Sequence, residues 1–600
     1  MSSQIPPSEL LTVPASLERA AKTSYGATFV GPKLEERQFS YRDLLARAKE
    51  IASSLSARGV EPGDRVAFAL PSEEEFVTTY LGTLIAGAVA VPLAPPLGIG
   101  KLGTFLDAAS RMLSTSRAKL FITSKSIRAM SGSLREAVPS LGAIVSCADL
   151  GGTSSSYRPP VVRLDDLAML QFTSGSTSEP KGVRLTHRNL AANCWVIVRE
   201  GLRAAAPDRC VSWLPLFHDM GMIGMVLCPI YSEIPLTLMP PTLFATKPAA
   251  WFKLLSDHQG TITYAPNFAY AYATKRIRDA ELTGVNLSHV RVFGCGAEPI
   301  NPLTLNKFVE RFASVGARLE AFYPSYGMAE SSLAVSFGRG VRTDTVSADD
   351  LESAQRASRV PKDDEASGTS TRELVACGSA FTGHSIRIVD PMSGTLRQER
   401  EIGEIRIAGP SVTDGYFEAT EATQALFDEE RFLRTGDLGY FADGQLHICG
   451  RIKDLIIVRG RNCAPQDLEW EAASVDGVRS GAVAAFSIPG SEAETESVVI
   501  VAEAKADADA SRVVSDIRTR LLDSVGITVA VVELVPAGTL PKTTSGKLRR
   551  AEIRARYLRG ELVPPNTQGV QSALKHLLVS QWGHLKSAIS SGLPERNAQS

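Results

Sequence analysis

TSGSTSEPKGV, at residues 173–183, is the stretch that most strongly constrains this fold. It follows an apolar run at Leu167–Phe172, which predicts a buried strand, and a helix is predicted to begin near His187. A loop rich in hydroxyls and glycine can surround phosphate oxygens with backbone N–H and O–H groups, and Lys181 adds positive charge. The spacing is not the GxxxxGK[ST] of a P-loop, and the loop alone is equally compatible with a solvated turn.

Apolar strands and amphipathic helices alternate on the N-terminal side of this loop. RVAFAL, VAVPLA and KLFIT predict strands, and Ser40 has the properties of a helix N-cap. This alternation predicts an α/β fold with layered, largely parallel sheets. The uncharged stretch Leu81–Gly100 contains Pro92, Pro95 and Pro96, so we expect a buried helix, a strand and a turn there rather than a membrane span.

The pattern changes on the C-terminal side, where short apolar strands bounded by glycine begin near Glu401. We expect a large domain over 1–450, a small α+β domain over 451–563 and a tail over 564–600 with one weak amphipathic helix. Within the large domain, residues 345–373 are polar and have too few large apolar side chains for a core of their own. They predict a long surface insertion.

Composition excludes several classes of function. The 64 Lys+Arg residues nearly balance the 65 Asp+Glu residues, and no nucleic-acid partner is expected from a net charge of −1. The eight cysteines form no CxxC pair, so a zinc or iron–sulfur site is not expected. Scattered cysteines and an N-terminus without a signal-peptide pattern indicate a cytoplasmic protein.

Five further motifs carry chemically useful side chains. Each has an ordinary explanation, such as a core histidine, a solvated carboxylate or a surface basic run. All of them together, in this order, are very improbable by chance. The motifs are WLPLFHDMG (213–221), YPSYGMAE (323–330), RTGDLG (434–439), GRIKD (450–454) and LPKTTSGKLRR (540–550).

With these motifs, the sequence resembles the adenylate-forming superfamily of acyl-activating enzymes from about residue 15 to residue 560. The resemblance implies that a carboxylate is joined to ATP with release of pyrophosphate, and that the acyl group then passes to a thiol. It also implies a large N-terminal domain of layered α/β sub-domains and a small, mobile α+β C-terminal domain.

Within the superfamily, the sequence is most similar to the fatty acyl-AMP ligases. AVAVPLAPPLG (88–98), PLFHDMGMIG (215–224), GRNCAPQDLE (460–469) and the polar insertion carry this similarity. The substrates implied are a fatty acid and ATP, with Mg²⁺. The implied acceptor is the phosphopantetheine thiol of a holo-acyl carrier protein, in polyketide, nonribosomal peptide or lipid biosynthesis. No GxDS-type attachment site occurs here, so the carrier is expected to be a separate chain.

The resemblance also suggests a role for each motif. Glu330 corresponds to the metal ligand, and Asp437 and Arg451 to the ribose contacts. Lys547 corresponds to the catalytic lysine, and His218 to a side chain that positions the carboxylate. The residues expected to hold the β- and γ-phosphates are Thr173, Ser174, Gly175, Ser176, Thr177 and Lys181. Those expected around the adenine are Gly296, Ala297, Glu298, Pro299, Tyr326, Gly327 and Met328.

Lys453 corresponds to the hinge between the domains, a position that many relatives fill with aspartate. The acyl pocket should be apolar, with small residues such as Gly221 and Gly224 giving room. Candidate walls, each of which could instead belong to the core, are Met222, Met225, Leu227, the Tyr264–Tyr272 run and Phe293.

Three other functions stay open at this point. An acyl-CoA ligase would share every adenylation motif and differ only in its thiol acceptor. A free-standing amino-acid adenylation domain of a nonribosomal peptide system is disfavoured, because no acidic anchor for an amino group is obvious. A catalytically inactive scaffold is disfavoured by the joint presence of Glu330, Asp437, Arg451 and Lys547.

Overall fold

The computed structural model describes residues 4–96, 102–129, 131–152, 157–173, 180–353, 356–360, 371–458, 461–489, 496–543 and 547–562. Some predictions fall elsewhere. Ser174, Gly175, Ser176 and Thr177 of the phosphate loop, residues 361–370 of the insertion and the tail over 564–600 lie outside the described residues.

The strands, in chain order, are β1 (Gly26–Val30), β2 (Glu36–Ser40), β3 (Arg65–Ala69), β4 (Val89–Pro92), β5 (Leu120–Thr123), β6 (Ala143–Ser146), β7 (Leu167–Thr173), β8 (Lys181–Thr186), β9 (Cys210–Ser212), β10 (Leu236–Leu238), β11 (Ile262–Ala265), β12 (Val292–Cys295), β13 (Phe322–Gly327), β14 (Ala334–Phe337), β15 (Thr343–Ser347), β16 (Thr371–Val375), β17 (Ser379–Ala380), β18 (Ser385–Val389), β19 (Gly403–Ala408), β20 (Leu433–Ala442), β21 (Gln445–Arg451), β22 (Ile456–Val458), β23 (Arg461–Cys463), β24 (Val478–Pro489), β25 (Glu496–Ala504) and β26 (Val531–Val535).

The α-helices are α1 (Val13–Ala20), α2 (Tyr41–Ala57), α3 (Glu73–Ile85), α4 (Leu102–Thr115), α5 (Lys125–Ala129), α6 (Gly132–Ala137), α7 (His187–Val196), α8 (Cys228–Ser232), α9 (Pro241–Thr246), α10 (Ala249–Asp257), α11 (Asn267–Arg276), α12 (Pro302–Phe312), α13 (Ala348–Glu352), α14 (Thr420–Leu426), α15 (Pro465–Ala473), α16 (Ala510–Val525) and α17 (Arg550–Leu558).

Two large sheets dominate the N-terminal part. The described strands of one run in the order β17-β14-β13-β12-β11-β9-β10-β1-β2, and those of the other in the order β6-β5-β3-β4-β7-β8. Their central strands are parallel, with antiparallel pairs at the edges. A continuous apolar core joins both sheets through residues of α1, α2, α3 and α7. The predicted α/β class is confirmed, as is the Ser40 N-cap, which forms a capping box with Asp43.

The predicted helix and strand at Leu81–Gly100 are α3 and β4, followed by residues 93–96 without regular secondary structure. Ten consecutive residues of α3, from Phe76 to Ile85, are buried, which explains the uncharged sequence. In the part of the chain that the structure describes, every helix is too short or too polar to cross a bilayer.

The chain next forms a four-stranded antiparallel sheet, β18-β19-β20-β21. The described residues after Lys453, called the C-terminal part below, contain a separate three-stranded sheet, β24-β25-β26. Successive residues of β25 point to opposite faces of its sheet. Ile500 packs in a cluster with residues of α15 and α16, whereas Val499 and Val501 pack in a second cluster with Ile553 of α17. The three-stranded sheet therefore carries helices on both faces.

The polar insertion is more ordered at its ends than its composition indicates. β15 and β16 pair as an antiparallel hairpin with Ser347 opposite Thr371. The buried Asp344 carboxylate accepts hydrogen bonds from Arg400, Arg359 and Tyr440. This network connects β15, at the start of the insertion, to the neighbouring strand β20 and to the segment that carries Arg400, and β16 contacts β21.

Candidate active site

One cleft, with a volume of about 2180 Å³, separates the N-terminal sheets from the C-terminal part. The predicted site residues that line it come from loops and strand ends far apart in the sequence. They are Lys181, His218, Gly296, Ala297, Glu298, Pro299, Tyr326, Gly327, Met328, Glu330, Asp437, Arg451, Lys453 and Lys547.

A tight hairpin brings Asp437 and Arg451 together. Asp443 and Gly444 connect β20 to β21 with positive φ angles of 52° and 70°, which is the geometry of a type I′ turn. The register of this hairpin places Asp437 directly opposite Arg451. Arg451 Nε donates to Asp437 Oδ1 at 2.6 Å, and the hydroxyl of Tyr326 donates to Oδ2 at 2.7 Å. This carboxylate raises the pKa of the Arg451 guanidinium, so the guanidinium stays charged.

Glu330 and the phosphate loop are connected through one tyrosine. The hydroxyl of Tyr416 donates to Glu330 Oε1 at 2.8 Å, and the ammonium of Lys181 lies 5.2 Å from the centre of the Tyr416 ring. Lys181 begins β8 and pairs with Thr173 at the end of β7, so the loop between them is a strand-to-strand connection. The predicted helix begins at His187, as expected, and follows directly after β8. Burial raises the pKa of the Glu330 carboxyl, while the Tyr416 hydrogen bond opposes this rise.

The expected adenine pocket lies where two loops approach each other closely. A Cβ on Gly296 would lie 2.8 Å from the carbonyl oxygen of Ser325, and Ala297 has a positive φ of 69°. Phe268 N donates to Glu298 Oε1 at 2.6 Å, so this carboxylate satisfies a backbone donor in the first turn of α11. Burial raises the pKa of Glu298.

His218 and Asp219 lie at the start of a π-helical turn, Met220–Leu227. His218 Nδ1 is 2.5 Å from Asp219 Oδ1, and the same oxygen accepts from Met220 N at 2.7 Å. A Cβ on Gly221 would lie 2.2 Å from the carbonyl oxygen of Pro215, so only glycine allows the chain to fold back here. Burial raises the pKa of the Asp219 carboxyl, but the His218 imidazole and the Lys547 ammonium together hold it below its usual range.

Lys547 reaches this cleft from the C-terminal part. Its loop is closed by Thr543 N donating to the Lys547 carbonyl at 2.6 Å and by Lys547 N donating to Thr543 Oγ1 at 3.0 Å. Lys547 and His218 line the same small void of about 20 Å³. Burial lowers the pKa of the Lys547 ammonium, and the carboxylates of Asp219 and Glu298 oppose this effect.

The candidate acyl-pocket walls separate into two groups. Met222, Met225, Leu227 and Phe293 are fully buried in the main core. The Tyr264–Tyr272 run contributes Tyr264, Asn267, Phe268, Ala271 and Tyr272 to the cleft, together with Trp213 and Phe244. Trp213 and Phe244 stack with ring centres 3.8 Å apart. This arm of the cleft is therefore aromatic.

Two site residues escaped the sequence-based interpretation. Asp219 stands beside His218 in WLPLFHDMG but was not predicted as a site residue. In the structure it places an acidic group in the wall of the cleft. Tyr416 carried no recognisable motif, and only the folded chain brings it to Glu330.

The donor set of the site is consistent with Mg²⁺ held jointly by protein and substrate. Within the described ranges, no group of three or more His, Cys, Asp or Glu residues could hold a metal ion by itself. Glu330 offers one carboxylate in the cleft, and Mg²⁺ typically takes one or two carboxylates together with substrate phosphates.

Comparison with protein families gives two matches along the chain. A model described as AMP-binding enzyme matches residues 17–417. A model described as Disco-interacting protein 2-like, AMP domain, matches residues 453–566. The second match begins at Lys453, and residues 418–452 lie between the two matched stretches.

Similar proteins and structures cover most of the chain. A Caulobacter vibrioides protein with a provisional acyl-CoA synthetase name is 37% identical, over 87% of this chain and 90% of its own. The medium-chain-fatty-acid–[acyl-carrier-protein] ligase JamA of Moorena producens is 34% identical, over 91% of this chain and 94% of its own. A solved structure from a study of fatty acyl-adenylate ligases of E. coli and L. pneumophila has a TM-score of 0.85 and 34% identity, covering 92% of this chain and 98% of its own.

Proposed function

The chain belongs to the AMP-binding enzyme family and is a relative of the fatty acyl-AMP ligases, and from this premise we propose that it activates a fatty acid with ATP and passes the acyl group to a carrier protein. The fatty acid carboxylate attacks the α-phosphorus of ATP, a new O–P bond forms, and pyrophosphate leaves with the electrons of the broken P–O bond. The phosphopantetheine thiol of a holo-acyl carrier protein then attacks the acyl carbonyl of the acyl-AMP. A C–S bond forms, the C–O bond to AMP breaks, and AMP and the thiol proton are released.

One observation carries the proposal: Lys547, His218 and the Asp437–Arg451 pair line a single cleft with Glu330. Two anions must approach each other in the first step, so positive groups held in place before the reaction are the main catalytic resource. Lys547 would contact the substrate carboxylate and an α-phosphate oxygen. No general base is required, because a carboxylate is already ionised at neutral pH.

The other residues bind and orient the substrates. Asp437 would accept hydrogen bonds from the ribose hydroxyls, and Arg451 both holds Asp437 and faces the same sugar. His218 would lie beside the reacting carboxylate, in the orientation set by Asp219. Glu330 would hold Mg²⁺ together with the phosphates. That ion neutralises charge on the phosphates and the leaving pyrophosphate.

The insertion supports a carrier protein as the acceptor. Arg372 of β16 forms an ion pair with Asp467 of α15, with Nη1 2.5 Å from Oδ2. Leu351 of α13 packs in a cluster that includes Ile452 and Leu455, which flank the hinge position Lys453. We propose that these contacts restrain the movement of the C-terminal part and so limit the path by which coenzyme A would reach the acyl-AMP.

An acyl-CoA ligase is the second candidate, and the Caulobacter vibrioides relative is the observation that favours it. Both functions share the adenylation step and differ only in the thiol that accepts the acyl group. The contacts of the insertion with the C-terminal part favour the acyl-AMP ligase.

Adenylation itself is tested by pyrophosphate release with ATP, Mg²⁺ and fatty acids of increasing chain length, with mass spectrometry to identify the acyl-AMP. We expect pyrophosphate release that depends on the fatty acid. We also expect an upper limit on the length of the accepted fatty acid, set by the aromatic arm of the cleft. Pyrophosphate release that is unchanged when the fatty acid is omitted, or that requires an amino acid instead, would contradict the proposal.

Asp437→Ala is expected to raise the ATP concentration required for half-maximal rate by about tenfold or more. A hydrogen bond to a charged carboxylate contributes about 1.5–3 kcal/mol, and about 1.4 kcal/mol corresponds to tenfold in affinity. The KM for ATP is measured by pyrophosphate release. Asp443→Ala, in the exposed turn of the same hairpin, is the matched control and should leave that KM unchanged. A normal KM for Asp437→Ala would remove this residue from the nucleotide site.

A further inference from the structure

Asp219 is a buried carboxylate in a cleft that must bind two anionic substrates. Together with Glu298, Glu330 and Asp437, it adds negative charge that would repel the fatty acid carboxylate and the triphosphate, so its presence calls for a specific reason. Its Oδ1 atom contacts His218 Nδ1 and Met220 N, both from its own loop. Its charge also acts on Lys547, which comes from the C-terminal part.

The charged groups around Lys547 make Asp219 its leading electrostatic partner. The carboxylates that face the Lys547 ammonium are Asp219, Glu298 and Asp437, and the Arg451 guanidinium opposes them. Asp437 is already paired with Arg451, and Glu298 Oε1 accepts from the backbone of α11. The Asp219 carboxylate opposes the lowering of the Lys547 pKa by burial, and its neighbours His218 and Met220 line a small void together with this lysine.

We propose that Asp219 is a positioning residue for adenylation, which draws the Lys547 ammonium into the cleft and at the same time orients the His218 imidazole. The inference rests on the proposed function, because Lys547 must leave the cleft before a thiol can reach the acyl-AMP. Asp219 would thus favour the arrangement in which Lys547 occupies the cleft during adenylation. It would contribute little to the second half-reaction, the transfer of the acyl group to the thiol.

A different role for the same carboxylate would be to anchor a substrate ammonium group. In that case Asp219 would interact with the ligand rather than with Lys547, and amino acids would be substrates. The contacts of Asp219 with His218 Nδ1 and Met220 N, and the void that Lys547 shares with the same loop, favour the positioning role, and the experiment below separates the two.

The test uses the full-length enzyme and the variants Asp219→Asn, Lys547→Ala and the double variant. Asp219→Asn should slow acyl-AMP formation by about 10²-fold, which is the loss of rate expected when a reacting group is misplaced. The KM for ATP should change little. Because both residues act as a unit, the double variant should be no slower than Lys547→Ala alone, to within about threefold. Losses that multiply in the double variant would overturn the proposal.

Two further measurements distinguish positioning from a loss of structure. In the Asp219→Asn variant, the alkaline limb of the pH–rate profile should shift to lower pH than in the wild type. Removing this carboxylate lowers the pKa of Lys547 further, so the ammonium loses its proton at lower pH. When synthetic acyl-AMP is supplied, acyl transfer to a holo-carrier protein should proceed at nearly the wild-type rate. An unchanged pH profile, or equal loss in both half-reactions, would contradict the role.

Two variants control for folding and charge. Asp208→Asn changes another buried carboxylate, which pairs with Arg291 outside the cleft, and it should not alter the ratio of the two half-reaction rates. Asp219→Glu restores the charge and should recover part of the adenylation rate.

If the wild type itself fails to acylate the carrier, the proposed acceptor is wrong, while the double-variant comparison still decides the role of Asp219. If the wild type adenylates amino acids and Asp219→Asn abolishes this activity, Asp219 anchors a substrate ammonium group instead.

Discussion

Lys547→Ala is expected to lower the rate of acyl-AMP formation by about 10²–10³-fold, the usual cost of losing one preorganised donor of positive charge. The lysine and His218 line the same small void in the cleft, and nearby carboxylates stabilise the ammonium against the effect of burial, which lowers its pKa. The measurement is single-turnover acyl-AMP formation, followed by mass spectrometry or radiolabelled ATP.

Lys542→Ala is the matched control for this substitution. Lys542 lies in the same loop, but its ammonium donates to the carbonyl oxygen of Gly481 within the C-terminal part. We expect much smaller losses from Lys542→Ala and unchanged melting temperatures for both variants. Near-normal acyl-AMP formation by a folded Lys547→Ala enzyme would exclude the catalytic role.

Replacing residues 348–370 by a two-residue Asn-Gly turn is expected to raise acyl-CoA formation by about tenfold, which corresponds to about 1.4 kcal/mol of lost restraint. Ser347 and Thr371 are already paired, so a two-residue turn can close the β15–β16 hairpin without changing its register. The change removes α13 and its apolar contacts near the hinge, while every proposed catalytic residue stays in place.

A pair of arginine variants tests the same restraint with less disturbance. Arg372→Ala removes the ion pair with Asp467 across the cleft, whereas Arg359→Ala removes ion pairs with Asp344 and Asp443. Only Arg372→Ala should increase acyl-CoA formation, and by a smaller factor than the shortened segment. If acyl-CoA stays at background in the shortened enzyme while adenylation is intact, the insertion has no part in choosing the acceptor.

Local sequence signals predicted much of the architecture. The hydrophobic periodicity and the N-cap at Ser40 define α2, and alternating apolar runs locate β3, β4 and β5. Pro465 stands at the first position of α15, where its fixed φ angle favours the start of a helix. These elements were predictable because their determinants lie within a few residues of one another.

Contacts between distant segments were not predictable in the same way. Tyr416 reaches Glu330, and Arg372 reaches Asp467, only after several sheets have assembled. The hydrogen bonds of Asp344 with Arg400 and Tyr440 also join segments that are far apart in the sequence. Asp219 likewise acquires its partner Lys547 from the opposite side of the cleft, so no local pattern marks the pair.

The most direct test of acyl-AMP ligase function incubates the wild-type enzyme with ATP, Mg²⁺ and a long-chain fatty acid, in parallel with coenzyme A or with a holo-acyl carrier protein. Mass spectrometry of both reactions quantifies acyl-AMP, acyl-CoA and the acylated carrier over time. We expect acyl-AMP in both reactions, efficient acylation of the carrier and little acyl-CoA. Rapid, stoichiometric production of acyl-CoA would contradict the proposed function and establish the chain as an acyl-CoA ligase.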